Sequence, residues 1–572
     1  MKKILILVSL VCLLTTGCND SAFLREKPED FLTVDNAFLN VNQFKTGINQ
    51  MYAQVRALYN SNDGSADWIL MGAGTDVFMI PRGDGTDYAY NDWKRVYPTD
   101  GISSRYWNDF YGIIKNCNEL LKQTENANVQ WYKEGQKEEI QAEICFFRAY
   151  AYRGLANLFG GVPILLEPIV SPKLDFVRST RVETYQQAIN DAEFASKYLP
   201  TTLKTDGQIV RATADHLLTE LYIALSDNGG AKSYDKAIRA ATRVLDGTDG
   251  DYELMTSRFG SRVNEKEKNV YWDLFRMGNQ NYLEAGNTEC LWAVQFKENT
   301  PGGTNAFDRP LIERTFWPSF WQNKKFGYDG VARDWTGRGV AWMRPTNYVI
   351  YEIWKNAGND IRNLEVNINR RFHAPFHLKD GVEDPTDMTP YETIISLPDG
   401  TEVTIHLKPG DEIRKEWLTT RADTMERYFP RFFKFGTDKH IDKRPDNGYV
   451  PDYYVFRVAE TYLLRAEAYL KNGNADAAVL DVNKIRARSK APLINVSQMS
   501  LDYILDERAR ELLGEEYRFM TLSRMNKLYD RVKKHGWEYA AFSVQEHNNL
   551  LPIPQSAIDA NLEAILEQNP GY

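Results

Sequence analysis

Helical periodicity at both ends of the chain, and its breakdown across residues 247–451, most limits how this sequence folds. From Val41, the residues Phe44, Ile48, Met51, Tyr52 and Val55 recur at three- and four-residue steps, one apolar stripe on a helix. Trp107, Tyr111, Ile114, Cys117 and Leu121 make a second stripe. A third covers 140–159 and meets Gly160, Gly161, Val162 and Pro163, a helix stop. A fourth covers 182–199 and ends at Pro200. Residues 211–225 with 233–246, and 455–472 with 475–489, read as helix pairs, followed by helices near 501–513 and 516–534. Tyr462, Ala466 and Tyr469, then Ala478, Val482 and Ile485, fit the offsets of a tetratricopeptide pair. Tyr222, Ala237, Ala241 and Val244 offer the same pattern less regularly, and an irregular helical bundle remains the alternative. Each such pair leaves an apolar face that only a neighbouring pair covers, so several must stack.

Between the helical blocks, Gly, Pro, Asn and Asp are frequent and short β-like runs occur. Residues 289–296 read as a buried strand. Runs 393–397 and 402–407 around Pro398, Asp399 and Gly400 read as a hairpin. A long, aromatic, non-repetitive segment on a rigid scaffold is where binding sites usually lie. Seven of the 13 tryptophans fall within 272–354. Trp272, Trp292 and Trp354 sit in apolar runs that suggest core. Trp317, Trp321 and Trp335 lie among Arg, Asn, Gly and Asp, which suggests exposed stacking platforms.

The N-terminus reads as an export signal. Lys2 and Lys3 precede an apolar run over 4–14, too short to span a bilayer, and Thr15, Thr16 and Gly17 lead to Cys18. Small residues before a cysteine mark Cys18 as a lipidation site, so the mature protein is expected to be membrane-anchored rather than membrane-spanning. Removing residues 1–17 takes away two lysines and no acid, moving the formal charge from −9 to −11. Such a balance argues against nucleic acid, whose binders present a basic face. Cys117, Cys145 and Cys290 lie in apolar surroundings and read as buried thiols, not a disulfide framework.

Against this background several motifs align with one family. Arg457, Ala459, Glu460, Tyr462, Leu463, Ala466, Glu467 and Ala468 form an R-x-A-E-x-Y-L-x-x-A-E-A helix. Asn483, Arg486 and Arg488 form N-x-x-R-x-R. Ile504, Glu507, Arg508, Glu511, Leu512, Glu516 and Arg518 lie in a charged helical run, and the chain closes on Leu551-Pro-Ile-Pro554 and Gln568-Asn-Pro-Gly-Tyr572. Toward the N-terminus, Trp107, Tyr111, Ile114, Cys117 and Asn118 agree, as do Glu143 to Tyr150 and Leu158 to Pro163. In these motifs the chain resembles the SusD/RagB family over nearly its whole length, most weakly in 250–450.

The resemblance implies a mainly α, SusD-like fold, with tetratricopeptide-type helix pairs supporting an irregular, loop-rich half with a few short strands. It implies a signal peptide over 1–17, a lipid anchor and tether over 18–40, and one domain over 41–572. Within that domain the scaffold would occupy about 41–246 and 452–535, the ligand-binding region 247–451, and a C-terminal segment 536–572. It further implies a non-catalytic, lipid-anchored protein, surface-exposed at the outer membrane, that captures glycan for a TonB-dependent SusC-like transporter.

Glycan binders without chemistry need flat rings to stack on sugar faces and planar polar groups to fix hydroxyls. Trp317, Trp321, Trp335 and Arg333 are therefore candidate ligand contacts. The resemblance adds Asp76 and Trp93 from the 60–98 loop, where Asp67, Arg82 and Asp84 also lie. Arg309, Arg333 and Arg344 would suit an acidic glycan, although structural ion pairs are the commoner use of such residues. Pro375 between His373 and His377 argues against a zinc helix, and residues 246–253 read as a solvated turn rather than a calcium loop. No G-x-S-x-G elbow and no phosphate-cradling glycine loop occurs. No catalytic residue, metal or cofactor is expected. Peptide cargo on the same scaffold, and a tetratricopeptide scaffold for proteins, remain the rival readings.

Overall fold

The computed structural model describes residues 37–59, 71–82, 89–297, 300, 311–439 and 449–572. Cys18, the expected signal peptide, most of the tether, Asp67, Asp84 and Arg309 lie outside the described residues. The scaffold begins with Val41–Ala57 (α1), whose stripe Val41, Phe44, Ile48, Met51 and Val55 is buried. Asn40 caps it by accepting from the amides of Asn42 and Gln43. Gly101–Thr124 (α2) is capped by Asp100, and Gln136–Phe159 (α3) is buried almost continuously from Ile144 onward. Such a helix must be central, and α3 stops at Gly160, whose φ of 78° favours glycine. Arg181–Tyr198 (α4) starts in a Thr180–Glu183 capping box. Arg211–Asp227 (α5) and Tyr234–Leu245 (α6) are the expected pair, as are Val458–Lys471 (α7) and Ala475–Arg488 (α8).

These helices pack in series, and α7 then packs on α6 and α5. The C-terminal helical block therefore continues the N-terminal stack, and the residues between them leave the scaffold and return. Small residues make the close approach possible. Ala237, Ala240 and Ala241 of α6, Ala466 of α7 and Ala478 of α8 are all buried. Leu501–Glu511 (α9), Arg518–Arg524 (α10), Leu528–His535 (α11) and Glu538–Ser543 (α12) complete the helices used below.

Charge pairs bolt the stack together. Arg148 meets Asp191 at 2.7 Å, Arg153 meets Glu220 at 2.7 Å and Arg524 meets Glu467 at 2.8 Å. The family motif residues form a buried network. Arg457 bridges Glu515 at 2.6 Å and Glu511 at 2.9 Å and also contacts Glu289. Arg362 bridges Asp360, Glu507 and Glu511 at 2.7, 2.8 and 2.9 Å. Glu289 and Arg362 come from the loop-rich half, so this network fixes that half to the scaffold. Buried pairs of this kind specify position more than they add net stability.

Cys290–Val294 (β2) pairs antiparallel with Tyr453–Arg457 (β10), with Phe456 opposite Trp292. The Trp292 ring sits among Phe146, Tyr150 and Phe456, which docks the strand pair on α3. The predicted hairpin is present as Tyr391–Ser396 (β7) and Glu402–Leu407 (β8), closed by Gly400 at φ 86°. Ile395 and Leu407 point into a satellite core with Phe320, Phe326, Phe372, Ile413 and Tyr428. Cys117, Cys145 and Cys290 are free and buried. Among the described residues, no helix is long and apolar enough to cross a membrane.

Candidate functional site: an aromatic cleft beside the hairpins

The satellite core holds up a cleft of about 190 Å³ between the segment after Phe326 and the hairpin strands. Gly327 makes the approach possible. Its φ is 92°, and a Cβ there would lie 2.7 Å from the Tyr391 ring, so only glycine lets that ring cover the backbone. Tyr391 donates to the Pro375 carbonyl at 3.1 Å and lies 4.4 Å from the His377 ring. Tyr328 donates to the His373 carbonyl at 2.8 Å, which fixes its ring 6.3 Å from Trp335 at a tilt of 31°.

A tight turn holds Trp335. The Arg333 amide donates to Thr336 Oγ1 at 2.8 Å, and the Gly337 amide donates to the Arg333 carbonyl at 2.9 Å. Arg333 forms an ion pair with Asp329, whose side chain is 45% exposed. The cleft thus joins the half-buried rings of Trp335 and Tyr391, backed by the buried Tyr328, to a guanidinium and a carboxylate at the solvent boundary. Burial raises the Tyr328 and Tyr391 hydroxyls above their ordinary pKa, so both stay protonated donors near neutral pH. Among the described residues lining the cleft, none is arranged as a nucleophile with an adjacent base. The chemistry on offer is stacking and hydroxyl recognition.

Trp335 and Arg333 are thus brought together on this cleft. Trp317 and Trp321, expected as exposed platforms, instead lie in the interior, and Trp93 and Asp76 are buried too. Trp317 is 1% exposed and its indole donates to the Phe432 carbonyl at 2.9 Å. Gly337 and Gly436 press on the ring and Gly339 on its backbone, and a Cβ at Gly436 would stand 2.3 Å from the ring. The polar, glycine-rich neighbourhood that suggested exposure is what lets backbone close over the ring. Trp321 is buried and donates to the Gly339 carbonyl at 2.7 Å. Trp93 is buried, donates to the Gly74 carbonyl at 3.2 Å and stacks on Phe519. None of these three offers a free face.

Asp76 is fully buried and accepts from Arg518 at 2.9 and 2.6 Å and from Arg531 at 2.9 Å. Burial alone would raise its carboxyl, but the two guanidiniums outweigh that and hold it well below the usual carboxylate range. Asp76 therefore joins the loop before β1, Phe78–Met79, to α10 and α11. Arg344 is buried as well, bonded to the Pro345 carbonyl and Asn347. Sequence reasoning missed Tyr328, Phe376, His377 and Tyr391. Their one sequence signal was the 391–407 hairpin, which carries Tyr391 to the cleft edge, whereas His377 comes from a separate strand pair, His377–Lys379 with Val382–Asp384.

A larger groove, about 710 Å³, lies elsewhere, between α2, segment 163–176 and C-terminal residues 556–566. Tyr111 donates to the Pro163 carbonyl at 2.7 Å, and Asn118 to the Leu165 carbonyl at 2.9 Å, positioning segment 163–176 as one wall. Ile169, Val170, Leu562 and Ile565 are exposed around it, Val170 at 93% and Ile565 at 83%. An aliphatic surface of this kind is suited to a protein or membrane partner.

The chain thus combines a helical stack with an appended, loop-rich half that carries an aromatic cleft. A family model described as the SusD family matches residues 226–572, and one described as "Starch-binding associating with outer membrane" matches residues 22–216. The chain belongs to the SusD family. It is 23% identical to SusD-like protein P2 of Formosa agariphila, over the whole length of both chains. It is 34% identical over 124 residues to the starch-binding protein SusD of Bacteroides thetaiotaomicron, covering 21% of this chain and 22% of that protein. Its fold matches a laminarin-binding SusD-like protein with a TM-score of 0.65 at 21% identity, covering 94% of this chain and all of the other. It matches a SusD homologue from B. thetaiotaomicron with a TM-score of 0.67 at 18% identity, covering 94% and 98% of the two chains.

Proposed function

We propose that this protein captures oligo- or polysaccharide at the outer membrane without chemically altering it, and delivers it to a TonB-dependent SusC-like transporter. The observation that carries this reading is the cleft of Tyr328, Trp335 and Tyr391 with the Asp329–Arg333 pair at its edge. Rings at fixed angles stack on pyranose faces, and the paired planar groups hold hydroxyls in chosen directions. Family membership supports glycan as cargo, since the matched descriptions and relatives include starch and laminarin binders. Asp76 and Trp93 fix the loop before β1, and Trp317 and Trp321 form the floor beneath the 333–342 segment. The aliphatic groove on α2 is the surface best suited to the transporter, and lipidation at Cys18 would keep the protein beside it.

The test is affinity electrophoresis of the full-length protein in mild detergent against neutral and acidic polysaccharides, laminarin and starch included. Trp335→Ala and Tyr391→Ala are run beside wild type. Retardation by one polymer, reduced about tenfold by Trp335→Ala as expected for a lost stacking ring, supports the reading. Retardation by none, together with binding of peptides, would transfer it to peptide cargo.

A further inference from the structure

A second set of rings lies outside the cleft and outside the aliphatic groove. In α12, Ala540 and Ser543 face inward, while Tyr539 and Phe542 face solvent at 40% and 74% exposure. Trp537, just before α12, lies 4.7 Å from Tyr539 at an interplanar angle of 64°. Lys94 holds its ammonium 5.1 Å from the centre of the Phe542 ring, and Tyr97, three residues further on, is 55% exposed. This surface is rigidly mounted. The Trp93 amide donates to Ser543 Oγ at 2.9 Å, and Ser543 Oγ donates to the Tyr539 carbonyl at 2.7 Å, tying two segments 450 residues apart.

What such a surface takes follows from its make-up and its size. Every large apolar group it exposes is aromatic, whereas the rim of the α2 groove exposes Ile169, Val170, Leu562 and Ile565. Aliphatic side chains suit protein or lipid. Flat rings beside hydroxyls and an ammonium suit the faces and edges of sugars. Three rings exposed by 55, 40 and 74% present roughly 350 Å² at about 200 Å² per ring. A stable protein interface needs about 800 Å² from each side. The area covers two or three sugar residues and falls short of a protein partner.

We infer that Tyr97, Lys94, Tyr539 and Phe542, with Trp537, form a second, non-catalytic stacking platform for a polysaccharide chain, distinct from the Tyr328–Trp335 cleft. This rests on the glycan reading of the cleft. A chain long enough to touch both gains avidity from the second contact, and a short oligosaccharide does not.

The experiment compares wild type, the Tyr539→Ala/Phe542→Ala double variant and Trp335→Ala by affinity electrophoresis in laminarin and in starch. Isothermal calorimetry with the matching trisaccharide runs alongside. Both substituted rings are exposed, and circular dichroism checks that the fold is intact. The expected result is a fivefold or greater loss of polymer retention in the double variant with trisaccharide binding unchanged, while Trp335→Ala weakens both. Unchanged polymer retention in the double variant overturns the platform and leaves the cleft standing. That holds equally if the double variant loses a protein that co-purifies with wild type, which would assign the rings to a protein contact. Failure of wild type to bind either polymer or either trisaccharide overturns the platform and the glycan reading together.

Discussion

Replacing Asp76 should destabilise the protein and leave the glycan site its intrinsic affinity. Asp76→Ala removes three charge-assisted hydrogen bonds, two from Arg518 at 2.9 and 2.6 Å and one from Arg531 at 2.9 Å. It leaves two buried guanidiniums, partly compensated by Glu516 and Asp506, each at 2.8 Å. Removing one partner of a buried ion pair costs about 3–5 kcal/mol, and the remaining acids favour the lower half of that range. With an unfolding entropy near 2.1 cal/mol/K per residue, a chain of this length loses about 1.2 kcal/mol per degree at its midpoint. A cost of about 3.5 kcal/mol then lowers Tm by roughly 3 °C. Differential scanning calorimetry measures this. The sign with pH is also fixed. Asp76 has its carboxyl pKa depressed by folding, so its contribution is present above about pH 4, the unfolded value, and is lost as the pH falls further toward the folded value. The gap between wild type and variant should hold from pH 5 to 8 and narrow in acid. An Asp76→Ala protein with unchanged Tm and no polysaccharide retention would refute this argument and make Asp76 a ligand contact.

Trp317→Ala should cost about 3–5 kcal/mol, because it empties a site closed by the backbones of Gly337 and Gly436, and the loss will show in chemical denaturation. Glu511→Ala strips a carboxylate shared by Arg362, Arg457 and Arg488 and should leave little folded protein in expression trials. Trp335→Ala should lower polysaccharide affinity about tenfold with Tm within about 1 °C of wild type, since the ring is only half-buried. Burial and the neighbouring Asp215 carboxylate push the Asp249 carboxyl up to about 8. The native state keeps a proton that the unfolded chain releases near pH 4, so stability falls as the pH rises from about 4 to about 8. Asp249→Asn removes that slope, and its Tm advantage over wild type should be larger at pH 8 than at pH 5.

The scaffold was legible because its signal is local. Stripes such as Phe44, Ile48 and Met51 announce a helix whatever else the chain does, and the stop at Gly160 is written in four consecutive residues. The β7–β8 hairpin was readable from its turn for the same reason. The site was not, because its members meet only in three dimensions. Asp76 finds its partners more than 440 residues away at Arg518 and Arg531. Trp317 and Trp335 have similar sequence neighbours, yet one lies under Gly436 and the other faces a cleft. No local pattern separates them, since what decides is the return of backbone from residues 431–436. Tyr328 and Tyr391 looked like ordinary loop and strand residues until Gly327 allowed one ring to pass over the other segment's backbone.

The most direct test of glycan capture is a crystal structure with an oligosaccharide of the best-retained polymer soaked or grown in. A sugar ring stacked about 4 Å above Trp335 or Tyr391, with hydroxyls on Asp329 or Arg333, is the predicted result. Clear density for the sugar at another surface, with the Tyr328–Trp335 cleft empty, would contradict it.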